Sequence, residues 1–379
     1  MTLRDEPQSA SAASPKPGGR DERLREIGLL RQALRRPELG AAAGCLLVLF
    51  FFAVFAGDSG LFSARGVVNF LEVSAQLGIL AVAVALLMIG GEFDLSLGSM
   101  IAFAGVIMAI LSTQYGWPIW SCILVAFAAA IMVGYLNGWL VVKTGLPSFI
   151  VTLATLFILR GVTLGVTRLI TGRTQIPGMK ELAAGDWLAP LFSGQFGGGF
   201  LTWLADHGII DKRPDGLPSV QGIPVSILWW IGLTILGTWI LLQTRFGNWI
   251  FTVGGDPNAA RNVGVPVNKV KIRLFILSAC AATLFAAIQV LSVGSADTSR
   301  GLQKEFEAII AVVIGGTLLT GGYGSAVGAM FGALIFGIVQ MGIFYTGIDT
   351  DWFKAFMGAM LLGAVLFNDF TRKKASEAR

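Results

Sequence analysis

The chain is a succession of apolar runs, most of them long enough to cross a bilayer, and this property limits what it can fold into. The runs cover about 41–57, 68–90, 97–113, 118–142, 147–165, 223–243, 273–293, 308–320, 326–346 and 352–367. A hydrocarbon core of about 30 Å takes roughly 20 helical residues. No water is present there to satisfy backbone N–H and C=O groups, so a spanning segment is a helix or one strand of a closed barrel. Continuous apolarity over such lengths points to helices. The expected fold is an all-α polytopic membrane protein with about ten transmembrane helices. Composition agrees: of 379 residues, 54% are hydrophobic and 13% are charged, whereas soluble domains carry roughly 25% charge. Glycine, at 49 residues, is about twice its usual share, as expected where membrane helices pack closely or break.

Charge placement orients the spans. Arg31, Arg35 and Arg36 precede the first run, which puts the N-terminus in the cytoplasm. Ten spans return the C-terminus to the same side. The basic segment 244–272 and the closing tail 371–379, with Arg372, Lys373 and Lys374, then face the cytoplasm. The long polar stretch 166–222 lies outside. Residues 1–40 form an N-terminal tail ahead of the transmembrane domain, 41–370. Its first 20 residues are rich in Ser, Pro, Gly and Ala and read as disordered. Leu24, Ile27, Leu30 and Leu34 lie near helical spacing among charges, as in an interfacial amphipathic helix or a solvated one. The net charge of +5 is too modest and too dispersed to argue for nucleic acid. His207 is the sole histidine, and Cys45, Cys122 and Cys280 are scattered within apolar runs. No cofactor or metal site in this chain is expected.

The segment RFGNWIFTVGGDPNAARNVGVPVNKVKIR, residues 245–273, breaks the apolar pattern. Asp256 suits a helix N-cap and Pro257 the first helical position. Residues 258–263 form the body, Gly264 suits a left-handed stop, and Pro266 forbids continuation. A capped helix too short to stand alone suggests a docking element, although an ordinary connecting loop has the same punctuation. A second segment, GGEFDLSLGS at 90–99, sets Glu92, Asp94 and Ser96 between two apolar runs. Acids there are costly, about 2.5–3.5 kcal/mol each at mid-membrane. Non-helical backbone at that depth is tolerated when buried in protein or lining water. The segment therefore reads either as a broken helix at a pathway or as a surface turn in which Asp94 and Ser96 cap the next span. Ile314-Gly315-Gly316 before Gly324-Ser325 is similar to Ile89-Gly90-Gly91 before Gly98-Ser99, from internal repetition or from glycine bias alike. Asn137, Thr152 and Thr155 lie within spans, where polar residues bond between helices or touch a substrate. Asp297, Lys304, Glu305 and Glu307 fit a solvated turn with a helix start, a partner contact or an entrance. No GxxxxGK[ST] is present, so the chain is not expected to cradle ATP itself, and no catalytic constellation appears.

Several segments, in order, resemble bacterial ABC-importer permeases for simple sugars, the ribose/xylose/arabinose group. GGEFDLSLGSMIAFAGV, LPSFIVTLATLFILRGV, GGDPNAARNVGVPVNKVKIRLFILSA and EFEAIIAVVIGGTLLTGGYGSAVGAMFGALIFGIV carry the likeness, over about residues 66–370. Two departures stand out. Glu92-Phe93 replaces the usual small residue after the double glycine, and Asp256 replaces the usual Asn of the cytoplasmic loop. The resemblance implies a type II ABC importer permease in the bacterial inner membrane, with 166–222 in the periplasm. Its partners would be a cytoplasmic ABC ATPase holding ATP and Mg, a periplasmic sugar-binding protein and a second permease, identical or related. The coupling loop would map onto Gly255, Asp256, Ala259, Ala260, Arg261 and Gly264. Candidate translocation-path residues are Glu92, Asp94, Ser96, Asn137, Thr152 and Thr155. The other functional expectation is a self-sufficient secondary transporter with Glu92 and Asp94 binding the coupling ion.

Overall fold

The computed structural model describes residues 37–349 and 351–377. The expected interfacial helix at 21–38 lies almost wholly outside them. Helices dominate: α1 (Pro37–Phe55), α2 (Ala64–Ile89), α3 (Leu97–Tyr115), α4 (Ile119–Thr144) and α5 (Ser148–Thr171) follow one another through short turns. Residues 172–225 fold into small pieces: β1 (Gln175–Pro177), α6 (Met179–Ala183), α7 (Pro190–Ser193), β2 (Gln195–Phe196), α8 (Gly198–Asp206) and β3 (Ile223–Pro224). Then come α9 (Ser226–Gln243), α10 (Arg245–Gly255), α11 (Pro257–Asn262), α12 (Val267–Val293), β4 (Ser295–Asp297), α13 (Lys304–Ile314), α14 (Ala326–Tyr345) and α15 (Trp352–Glu377).

Among the described residues, eight helices are long and apolar enough to cross a membrane: α1 to α5, α9, α12 and α14. Two of the ten expected spans differ. The run 308–320 is the 11-residue α13, which stops at Ile314 because Gly315-Gly316 close it. The last run is the 15-residue apolar part of α15, Trp352–Leu366. Helices α2, α3, α12 and α14 are mostly buried, whereas in α1, α4, α5 and α9 only a minority of residues are buried. The exposed set is what lipid or a second chain would cover.

Glycines set the closest approaches. On α4, a Cβ at Gly134 would lie 2.7 Å from the Ile276 Cα, and one at Gly138 2.7 Å from the Ile272 Cα. This small-xxx-small pair draws α4 onto α12 and carries Asn137 into the interior. The likeness between the two double-glycine segments extends to geometry. Gly91 (φ +81°) and Gly316 (φ +87°) are both left-handed. Gly91 N–H donates to Met88 O at 2.9 Å and Glu92 N–H to Leu87 O at 3.2 Å; Gly316 N–H to Val313 O and Thr317 N–H to Val312 O have the same two lengths. Both helices end in the same left-handed glycine stop.

Outside the long helices, β1 pairs antiparallel with β4, joining the segment after α5 to the one after α12. Trp229 Nε1–H donates to Leu191 O at 2.8 Å, and its ring stacks on Phe192, fixing α7 to the start of α9. The polar stretch 166–222 is thus largely folded, and its first residues extend α5 to Thr171.

Candidate functional site

The site begins where α2 stops. Beyond Gly91 the chain runs non-helically until α3 starts at Leu97, so its backbone N–H groups need partners in a buried place. Helix α5 supplies them. Ser148 Oγ accepts from Phe93 N–H at 3.0 Å, and Thr152 Oγ1 accepts from Leu95 N–H at 3.0 Å. The two N–H groups are two residues apart in the non-helical segment, and the two hydroxyls, four apart, share one face of α5. Thr152 passes its own proton to Ser148 O at 2.8 Å. Thr155, three residues on and on the same face, reaches Asn137.

Asp94 is the hub, 5% exposed. Its Oδ1 accepts from Ser96 N–H at 3.0 Å and from Ser96 Oγ at 2.5 Å; its Oδ2 accepts from Ser278 Oγ, on α12, at 2.8 Å. Asn137 Nδ2 donates to Ser96 Oγ at 3.0 Å, and Thr155 Oγ1 donates to Asn137 Oδ1 at 2.7 Å. One continuous network therefore joins α12, the break, α4 and α5, uniting five of the six expected path residues directly or through the backbone they hold. None of its polar side-chain atoms is a buried orphan, and a satisfied buried network favours one arrangement.

Glu92 stands apart from that network. Its carboxylate, also 5% exposed, pairs with the Lys271 ammonium near the start of α12. It is a link toward the basic segment rather than a member of the Asp94 network. Sequence reasoning missed Ser148, Ser278 and Lys271. A signal for Ser148 existed: with Thr152 and Thr155 it forms a hydroxyl stripe at helical spacing. Lys271 and Ser278 are seven apart on α12, one face of a helix, but nothing local announces what they meet.

Glu305, expected on a turn or at an entrance, is buried. A Cβ at Gly98 would lie 2.0 Å from its Oε2 and 2.3 Å from Gly301 O, so α3 begins pressed against the turn before α13. Lys304 pairs with Glu307 within α13, and both line a polar pocket of about 140 Å³ with Gln76, Gln289 and Gln340.

The basic segment holds two helices where the sequence suggested one. Thr244 caps α10 by accepting from Gly247 N–H at 3.1 Å. Asp256 then caps α11 as expected, its Oδ1 accepting from Asn258 N–H at 2.8 Å and Ala259 N–H at 3.1 Å. Pro257 opens the helix and Gly264 is left-handed at φ +83°. Gly255, Asp256, Ala259, Arg261 and Gly264 are exposed. Ala260 is not: it is fully buried with Ile250, Val253, Val267 and Val270, anchoring α11 instead of meeting a partner. Val263, not among the expected residues, closes α11 with three-quarters of its surface exposed. The two halves of the site touch at a seam of glycines. A Cβ at Gly254 would lie 1.7 Å from Ile89 O, and Gly322 N–H donates to that oxygen at 2.8 Å.

The family described as branched-chain amino acid transport system / permease component matches residues 66–365. The chain belongs to this permease family. Among curated relatives of the permease, the xylose transport system permease protein of Escherichia coli (strain K12) is 30% identical over 362 residues, covering 87% of this chain and 91% of that protein. The ribose import permease protein of the same organism is 33% identical over 311 residues, covering 81% and 87%. The fructose import permease protein of Rhizobium meliloti is 30% identical over 331 residues, covering 87% and 85%. These likenesses place the permease among those of simple-sugar ABC importers, multi-pass proteins of the inner membrane. No solved structure matches the chain.

Proposed function

We propose that this chain is the membrane-spanning subunit of an importer that moves a pentose or hexose inward at the expense of ATP hydrolysed by a separate subunit. The observation that carries this reading is the likeness to xylose, ribose and fructose permeases over more than four-fifths of both chains in each comparison. The family description speaks of branched-chain amino acids; the sugar permeases support the narrower reading.

In this reading the exposed face of α11 (Asp256, Ala259, Arg261, Gly264 and the neighbouring Val263) seats the cytoplasmic ATPase, and both termini lie in the cytoplasm. A periplasmic binding protein delivers the sugar, and a second permease, identical or related, completes the pathway. Closure of the ATPases biases the permeases between inward- and outward-facing states. The chain contributes a pathway and a lever, and ATP and Mg belong to the partner. The ion-coupled alternative is weakened by the site itself: Asp94 and Glu92 are both occupied by protein partners.

The test is reconstitution. Permease, ATPase and binding protein in liposomes should take up xylose, ribose or fructose only with ATP inside. Uptake of leucine and not of sugars would overturn the substrate class. Sugar uptake driven by an ion gradient with no ATPase present would overturn the mechanism.

A further inference from the structure

We infer that the Glu92–Lys271 ion pair transmits movement of the ATPase-docking segment to the broken helix at 90–96. This inference rests on the importer reading above.

The docking segment and the start of α12 form one body. Ala260, Ile250, Val253, Val267, Val270 and Leu274 share one buried cluster. Val265 N–H donates to Ala260 O at 3.0 Å and Val267 N–H to Val265 O at 2.8 Å, so the backbone is bonded step by step across the bend from α11 into α12. Whatever displaces α11 displaces the first turns of α12.

Most links from this body to the break transmit push but not pull. Gly254 lies against Ile89 O, and Leu274 Cδ1 sits 2.5 Å from where a Gly90 Cβ would be. Such contacts resist approach and offer little against separation or sliding. The ion pair is different in kind. Among the described residues it is the one ion pair that joins two long-helix regions of the core; the other two lie within α13 and between the last residue of α8 and the stretch that follows it. Both charges are largely withdrawn from water, and separating them would leave each uncompensated in a poor solvent for ions. The pair is therefore directional and strongly favours contact.

Its position gives it leverage. Glu92 is fixed at its own backbone by the bond to Leu87 O. Two residues later Asp94 is held by Ser278 of the same α12. Lys271 and Ser278 are separated by two helical turns, about 10.5 Å of rise, while Glu92 and Asp94 are separated by about 7 Å of extended chain. The long lysine and glutamate side chains span the difference. Helix α12 thus grips the break at two points along one face, the inner one ionic and the outer one a hydrogen bond. A shift of α12 along its axis is passed to both, and from Asp94 onward to Ser96 and Asn137.

The experiment compares three permeases, each assembled with its ATPase and binding protein in liposomes: the unaltered chain, Glu92→Gln with Lys271→Gln, and the charge exchange Glu92→Lys with Lys271→Glu. The double glutamine variant leaves no unpaired buried charge, so it retains insertion and co-purification of the ATPase. Its sugar transported per ATP hydrolysed should fall by about 2- to 30-fold, the usual range for a residue along a coupling route. The exchange should recover part of that loss. Intact transport per ATP in the double glutamine variant would overturn the inference. So would an equal fall in transport and hydrolysis, since a merely structural role lowers both together. If the unaltered complex itself fails to import sugar with ATP, the importer reading has failed, and this is seen before any variant is compared.

Discussion

Replacing Gly254 with alanine puts one methyl group where three stretches of backbone meet. The new Cβ would lie 1.7 Å from Ile89 O, 2.8 Å from Ile89 C and 2.7 Å from Gly322 N. A carbon and a carbonyl oxygen settle at about 3.3–3.6 Å, so α10 must retreat from the end of α2 by roughly 1.6 Å. Rotamer changes cannot relieve the contact, because every atom met belongs to the main chain. Ile89 O is also held by Gly322 N–H at 2.8 Å, and retreat strains that bond. Overpacking of this sort costs about 1–3 kcal/mol, and losing the bond about 0.5–1.5 kcal/mol. Alanine returns about 1 kcal/mol through helix propensity. The net is a destabilisation of about 0.5–3.5 kcal/mol. Gly255 provides the comparison, since a Cβ there meets nothing within 4 Å. In detergent, Gly254→Ala should melt several degrees below the unaltered protein and Gly255→Ala should not. Gly254→Ala should also take up less sugar per ATP when assembled with its ATPase. Equal melting of the two variants would refute the idea that α10 is seated on the α2 terminus by backbone contact.

Three further outcomes are expected. Asp256→Ala removes two cap bonds from a six-residue helix, at about 0.5–2 kcal/mol, and should weaken ATPase co-purification, while Asp256→Asn should not. Thr152→Val orphans the Leu95 N–H inside the protein, so thermal melts should show a loss of about 1–3 kcal/mol, with Thr152→Ser close to unaltered. Asp94→Asn keeps the shape of the hub but offers an amide where Ser96 or Ser278 needs an acceptor; uptake should drop while the ATPase still co-purifies, read by transport and pull-down side by side.

What could be read from the sequence was local. Asp256, Pro257 and Gly264 sit next to the groups they satisfy, so the short helix was legible to within one residue. The same holds for the apolar runs, whose length alone makes them helices. Helix α10 is hidden because Arg245 at its start and the glycines Gly254-Gly255 at its end make Phe246, Ile250 and Val253 read as part of the loop between two spans. The early end of α13 was announced by Gly315-Gly316 but outweighed by apolar residues on either side. The acids at the break were found because charge between spans is costly. Their partners were not, because Asp94 and Ser278 lie 184 residues apart and a contact across that distance leaves no mark in a single sequence. The burial of Ala260 is not legible for a similar reason: alanine is small enough for either face, and Ala260 is covered in one cluster with Val253 and Val267.

The bonds around Asp94 have a common direction. Thr155 donates to Asn137, Asn137 to Ser96, and Ser96 to Asp94, with Ser278 donating from the other side. Every dipole in the chain points its positive end at one carboxylate. One carboxyl group therefore stands at the end of a row of donors drawn from three helices. The hydroxyl of Thr155, at the far end, reaches Asn137 Oδ1 at 2.7 Å and also Val151 O, on its own helix, at 3.1 Å. Any event that moves Asp94 away from Ser96 would cut the row at its acceptor end, leaving the Ser96 hydroxyl to find a new acceptor while Thr155 keeps Val151 O.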